Sequence, residues 1–172
     1  MAFVVEDGTG LTNANAYIDE DFFTDYFKDR NISLPSGTAG RDKRGGIVQG
    51  SSYLDRRYRD RIIGVRLRSS QSLEWPRVNA FYQDGRVVAG VPIEWKQACA
   101  ELAFIALTSD LVTNPTYDSS GRVVAEKTEK VGPIMERTKY SDLGHVVGFP
   151  SYPAVEGLLR ELVDEGVTLE RM

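Results

Sequence analysis

Arg56, Arg57, Arg59 and Arg61 fall within six residues, interleaved with Tyr53 and Tyr58 and followed by Trp75, Phe81 and Tyr82. Cations for phosphates and aromatic faces for bases are the mixture that single-strand nucleic-acid binders use. The same stretch has a plainer reading, in which Leu54 and Tyr58, four residues apart, anchor a core and the arginines form its flanking surface. Other groups able to do chemistry are sparse. His145 is the only histidine and sits in a Gly- and Val-rich loop, so a catalytic triad or dyad would have to be built on it alone. Cys99 is the only cysteine, which excludes an intramolecular disulfide, and it fits a small core residue better than a nucleophile. Asp19-Glu20-Asp21 could attract a cation but lacks the spacing of a calcium loop and reads as a solvated helix face. There is no phosphate loop, dinucleotide fingerprint, nucleophile elbow or Cys/His zinc cluster. An enzyme is the least supported class, and no catalytic residue, cofactor or metal is expected.

The elements that must position the arginines are helical. The most apolar and most consistently helical stretch is Val91 to Val112, with Pro92 suited to its first turn and Asn114-Pro115 expected to end it. Trp95, Ala98, Cys99, Leu102, Ile105 and Ala106 recur at steps of three and four and should form its core face. Because Ala98, Cys99 and Ala103 are small, a second helix can approach closely there. Before it, Ala16 to Arg30 predicts an amphipathic acidic helix capped by Asn13 or Asn15. Thr38 to Tyr58 predicts another, weakened by Gly45-Gly46 and Gly50. Ile62 to Val91 reads as a small hairpin or long loop around the turn Asp84-Gly85, and Pro153 starts a short helix running to about Gly166. Thr113 to Pro153 has little apolar bulk and alternates Val with charge, which fits a hairpin or an extended arm.

The expected fold is therefore mainly α, a small helical bundle with an extended β-hairpin or arm and irregular loops, in a single domain over 1-172. Its helical core spans about 14-112 and 153-165, and its arm about 113-150. The composition is ordinary for a soluble globular chain, with no apolar run near the roughly 18 residues of a membrane span. The opening MAFVVEDGTG has neither a basic nor a long apolar region, so no secretory signal is expected. Net charge is -4, but unevenly spread. Residues 1–30 and 141–172 are acidic, whereas residues 41–68 carry nine bases against Asp42, Asp55 and Asp60. A solvated helix face, a nucleic-acid patch and a surface that meets an acidic face of another copy all fit that basic middle.

The order of segments VEDGTGLTNANAY, YLDRRY, LEWPR, VPIEWKQACAELA, EKVGPI and YPAVEGLLREL resembles a phage family often labelled DnaT-like single-stranded DNA-binding. Members of that group occur among head-completion and head-to-tail adaptor proteins of tailed phages. The Gly45-Gly46 pair and the loop His145 to Gly148 depart from its pattern. The resemblance implies a homo-oligomeric ring of twelve-fold symmetry at the virion head-tail junction, assembled in the host cytoplasm. A portal protein would lie above it and a tail or stopper protein below, with genomic DNA passing through the lumen without sequence-specific contact. A single-stranded DNA-binding accessory of phage replication is the alternative. For a ring, Arg56, Arg57, Arg59 and Arg61 are the expected basic surface and Asp19, Asp25 and Asp29, or Glu161 to Glu170, the acidic one. Val123, Val124, Val131 and Ile134 would let the arm add strands to a neighbour.

Overall fold

A computed structural model describes residues 2–35, 40–112, 116–117, 123–128, 137–140 and 150–164. The chain divides into two compact units, Met1–Leu111 with Ser151–Met172, and Val112–Pro150. It is a mainly helical fold, with four α-helices among the described residues and short antiparallel strands.

In the first unit the helices are α1 (Glu20–Lys28), α2 (Gly40–Tyr58), α3 (Ile93–Ala106) and α4 (Pro153–Leu159). α1 begins four residues later than its apolar pattern predicts. Asp19 is its cap, its carboxylate accepting from the Phe22 amide at 2.7 Å. Asn15 is used elsewhere: it accepts from Val4 N–H at 2.9 Å and donates to Ala2 C=O at 2.8 Å, while Ala16 bridges Val5 in parallel. Tyr17 and Ile18 are buried as expected, but from extended chain rather than from a helix.

α2 lies against α3 at the small residues anticipated. A Cβ on Gly46 would stand 2.8 Å from the Ala103 carbonyl oxygen, and one on Gly50 2.9 Å from that of Cys99. The helix-weakening glycines are thus the condition for the close approach. Trp95 of α3 is the hub of the core, with Tyr17, Tyr58 and Trp75 set edge-on around it at centroid distances of 6.0, 6.2 and 6.0 Å. α3 stops at Ala106, short of Asn114-Pro115. The hydroxyls of Thr108 and Ser109 bond back to the Ile105 carbonyl at 3.1 and 3.3 Å and compete with a further turn. Ile105 and Ala106 are half-buried rather than core. α4 is also shorter than expected, because the chain leaves it to pair with the end of α2's extension. Val163 bridges Ile62, and Asp164 N–H bonds to Arg61 C=O at 2.8 Å.

Between α2 and α3 the expected hairpin turn at Asp84-Gly85 is present, with Tyr82 N–H bonding Arg86 C=O at 2.9 Å and Phe81 bridging Val87. A second ribbon precedes it, β1 (Val65–Arg66) antiparallel to β2 (Arg77–Val78). In the second unit β3 (Thr116–Tyr117), β4 (Val123–Thr128) and β5 (Arg137–Tyr140) form an antiparallel sheet in that order. The described strands thus make the hairpin alternative, widened by a third strand. Val124 stands opposite both Thr116 and Tyr140.

Candidate functional site

The arginine row occupies the last turn of α2 and the 3-10 turn Arg59–Arg61 that extends it. Its aromatic partners do not face solvent with it. Tyr53, Tyr58 and Trp75 are all buried, and burial pushes the Tyr53 phenol up to about 12. They serve as core anchors, as the Leu54–Tyr58 spacing allowed for Tyr58, and offer no face to a base. Three of the arginines are drawn toward their own chain. Arg57 approaches Glu156 of α4 at 3.5 Å, Arg59 donates to Glu74 at 2.9 Å, and the Arg61 guanidinium lies 5.3 Å from the Tyr58 ring centre. Such partly exposed pairs contribute about 1 kcal/mol or less, so they orient these side chains more than they stabilise the fold. Arg56 is exposed, with no ion pair recorded among the described residues.

The acidic residues named for a subunit surface lie along α1 and at its ends. Asp25 and Asp29 are exposed, with Asp21, at steps of four and so on one stripe of the helix. Asp19 is exposed too but is engaged as the cap. Glu161 is exposed, while 165–170 lie outside the described residues. Val123 and Val124 lie on β4; Val131, Ile134 and His145 lie outside the described residues. Cys99 is fully buried 3.3 Å from the Ser51 hydroxyl, and burial pushes its thiol up to about 12, which keeps it protonated and unreactive.

The motifs prove to be wiring. Glu6 of VEDGTG is buried, and its carboxylate accepts from the amides of Gly8, Gly10 and Leu11 at 3.0, 2.9 and 2.9 Å, which folds the whole Asp7–Leu11 loop around one side chain. Glu6→Ala is expected to cost about 2 to 4 kcal/mol, since three amides lose a charged acceptor. Urea unfolding followed by tryptophan fluorescence measures it, and Glu6→Gln should fall between. Gln71, also buried, spans the next loop, donating to the carbonyls of Leu73 and Pro76 at 2.8 and 3.0 Å and accepting from Arg68 N–H at 2.8 Å. Ser72 ties that loop to the first through the Ala14 carbonyl at 2.6 Å.

The ribbon β1–β2 is inside out. Arg66 and Arg77 are a cross-strand pair, and Arg77 turns inward, its side chain only 9% exposed. Arg77 donates to the carbonyls of Ile63 and Gly64, both at 2.9 Å, and to Glu74 at 3.1 Å, while Arg66 donates to the Gln71 carbonyl. With the arginines facing in, alternation sends the valine pair out: Val65 is 56% and Val78 38% exposed. Leu67, two residues from Val65, is 40% exposed, and the next ribbon adds Phe81 at 52% and Val87 at 66%. Five of the eight large apolar side chains exposed among the described residues therefore lie between Val65 and Val87. Scattered single exposures are normal, whereas the cross-strand pair Val65 and Val78 with Leu67 beside it is a local concentration. Sequence reasoning missed it, because alternation shows two faces without saying which is buried.

Among the described residues no group of three or more His, Cys, Asp and Glu could hold a metal ion, and no helix is long and apolar enough to cross a membrane. Fold and surface together define a small, mainly helical protein whose described motif residues hold its own loops. Over residues 1–172 the chain matches the model of the family described as "Putative DnaT-like ssDNA binding protein", and it belongs to that family, one of binding proteins rather than enzymes. No curated protein and no solved structure matches it.

Proposed function

We propose that the chain is a structural subunit of the phage virion, forming a ring that joins the portal of the head to the tail. The observation that carries this reading is the outward apolar face of Val65, Leu67 and Val78 on the β1–β2 ribbon, on a chain whose core is already filled by Trp75 and Trp95. A monomer gains nothing from such a face, whereas a subunit buries it. A net charge of -4 also disfavours trapping DNA that must pass through a lumen. Negative-stain imaging of the chain mixed with its portal is expected to show a ring capping the portal; portal particles that stay bare would overturn the reading.

Single-stranded DNA binding is the second reading, and the family's description speaks for it more directly than for the first. Exposed Arg56 and Phe81, and Tyr82 with the Arg86 guanidinium 4.8 Å from its ring centre, are the side chains it has to work with. Buried Tyr53, Tyr58 and Trp75 leave it few stacking faces. Fluorescence anisotropy with a short labelled oligonucleotide separates the two. Under the first reading, binding stays weak and Arg56→Glu with Arg57→Glu changes it little. Tight binding that falls about 100-fold or more between about 50 and about 200 mM salt, and is lost in that variant, would establish the second.

A further inference from the structure

We infer that the outward face of the β1–β2 ribbon receives helix α1 of a second copy of this chain, so that the contact between subunits is heterologous. This rests on the reading of the chain as a subunit of an assembly, and moves the contact from the arginine row itself to the apolar face beside it.

Three observations select the occupant. The first is that the ribbon face is apolar and its surroundings are cationic. From Arg56 to Val88 the sequence holds eight arginines against Asp60, Glu74 and Asp84. Arg59 keeps 64% of its side chain exposed while bonded to Glu74, which also holds Arg77 of β2. Exposed Arg68 directly follows Leu67, and Arg86, 70% exposed, directly precedes Val87. Arg59 and Arg86 are matched within the chain by Glu74 and Asp84, but Arg68 has no ion pair among the described residues and arginines outnumber acids along this stretch, so an acidic partner is favoured and a basic one repelled. The second is that α1 offers the opposite charge in a compatible form. Asp21, Asp25 and Asp29 make a straight stripe about 12 Å long, since eight residues of helix rise 1.5 Å each. Ile32, 43% exposed just beyond the helix end, supplies an apolar tip for the valine and leucine face. Phe22, Phe23, Tyr26 and Phe27 already turn the other side of α1 to its own chain, so the acidic stripe is the side left to a neighbour.

The third is that the two faces are different surfaces of the same subunit and both are exposed on it. Each copy can therefore receive one neighbour and dock on another, the geometry that closes rings when the rotation per subunit allows. Apolar contact at Val65, Leu67 and Val78 would hold the pair, while Arg68 and Arg59 orient the aspartate stripe. A twofold contact through the ribbon alone would instead bring the like-charged surroundings of two copies together.

The test is sedimentation velocity of three chains over a concentration series, repeated with portal: wild type, Val65→Lys with Val78→Lys, and Asp25→Lys with Asp29→Lys. All four positions are exposed, and unchanged thermal melting by circular dichroism confirms that the variants fold. Both variants are expected to associate about tenfold more weakly or worse than wild type. A mixture of Leu67→Cys and Asp25→Cys chains should give a cross-linked dimer that neither gives alone, Cys99 being buried and silent. Wild-type-like association of the ribbon variant would overturn the inference and leave the ring reading standing on another face. Loss of association in the ribbon variant but not in the aspartate variant would also overturn it, by assigning the face a different occupant. Oligonucleotide binding lost in the ribbon variant, with self-association intact, would give the face to nucleic acid. A wild type that associates neither alone nor on portal would overturn both the inference and the ring.

Discussion

Gly46→Ala and Gly50→Ala are each expected to destabilise the protein by about 2 kcal/mol, whereas Gly45→Ala should stabilise it by about 0.5 to 1 kcal/mol. All three substitutions put alanine, the best helix former, where glycine stood in α2, so local propensity favours all three equally. What separates them is the neighbour. The new methyl would meet nothing within 4 Å at Gly45, but the Ala103 carbonyl oxygen at 2.8 Å from Gly46, and the Cys99 carbonyl oxygen and Ala103 nitrogen at 2.9 and 3.1 Å from Gly50. Backbone cannot rotate aside as a side chain can, so α2 and α3 must separate and loosen the packing around Trp95 and Leu102. The double variant should lose less than the sum, because one separation relieves both clashes. Equilibrium urea unfolding, followed by the fluorescence of Trp75 and Trp95, reads all four chains. Equal effects at Gly45 and Gly46 would mean that the helices do not approach as described.

These glycines also show what the sequence could and could not tell. Its small residues on α3, Ala98, Cys99 and Ala103, announced a close approach, and Gly45-Gly46 and Gly50 announced a weak helix. Both are the same contact seen from opposite sides. Propensity is a property of one segment and packing of two, so nothing local joined them. The start of α1 was misplaced for a related reason. Tyr17 and Ile18 continue the apolar spacing of Phe22, Phe23, Tyr26 and Phe27, but the pairing of Ala16 with Val5 and the Asp19 cap hold them in extended chain. The β1–β2 ribbon was not anticipated at all. Val65-Arg66-Leu67-Arg68 alternates cleanly, and the usual expectation buries valine and exposes arginine. Here carbonyls of the Ile62–Gly64 turn and the carboxylate of Glu74 converge on Arg77, and satisfying them draws the charged face inward. The arginine row was legible as a basic surface. That Tyr58 belongs to the core was legible from its i,i+4 spacing with Leu54, though not decidable against stacking without the fold; that Tyr53 does was not.

Between pH 5 and pH 8 the stability of the protein should fall, and Asp55 should be the cause. Its carboxyl is buried at the end of α2, where one oxygen accepts from the Tyr17 hydroxyl and the other from Glu74 N–H at 3.2 Å. Desolvation pushes it up to about 7; the hydrogen bonds from Tyr17 and Glu74 N–H oppose this, the Glu74 charge adds to it, and Arg59 offsets part. The unfolded chain releases the same proton near pH 4. A carboxyl whose folded value is the higher one holds its proton better in the native state. Its contribution is therefore most favourable below about 4, declines as pH rises to about 7, and is level beyond. Three units correspond to about 4 kcal/mol as an upper bound. Asp7 and Asp84 are shifted the other way, each held low chiefly by hydrogen bonds, to Thr9 and to Arg86, so their effects fall below the window. The comparison with Asp55→Asn removes whatever other groups contribute within it. The amide introduced by Asp55→Asn would still accept from Tyr17 but would turn its NH2 group toward Glu74 N–H, a cost of about 1 to 2 kcal/mol that does not vary with pH. The slope is therefore the readout, not the level. Urea midpoints at half-unit intervals should decline with pH in the wild type and much less in Asp55→Asn; parallel slopes would show that the Asp55 carboxyl is ionised throughout and that its burial is fully compensated.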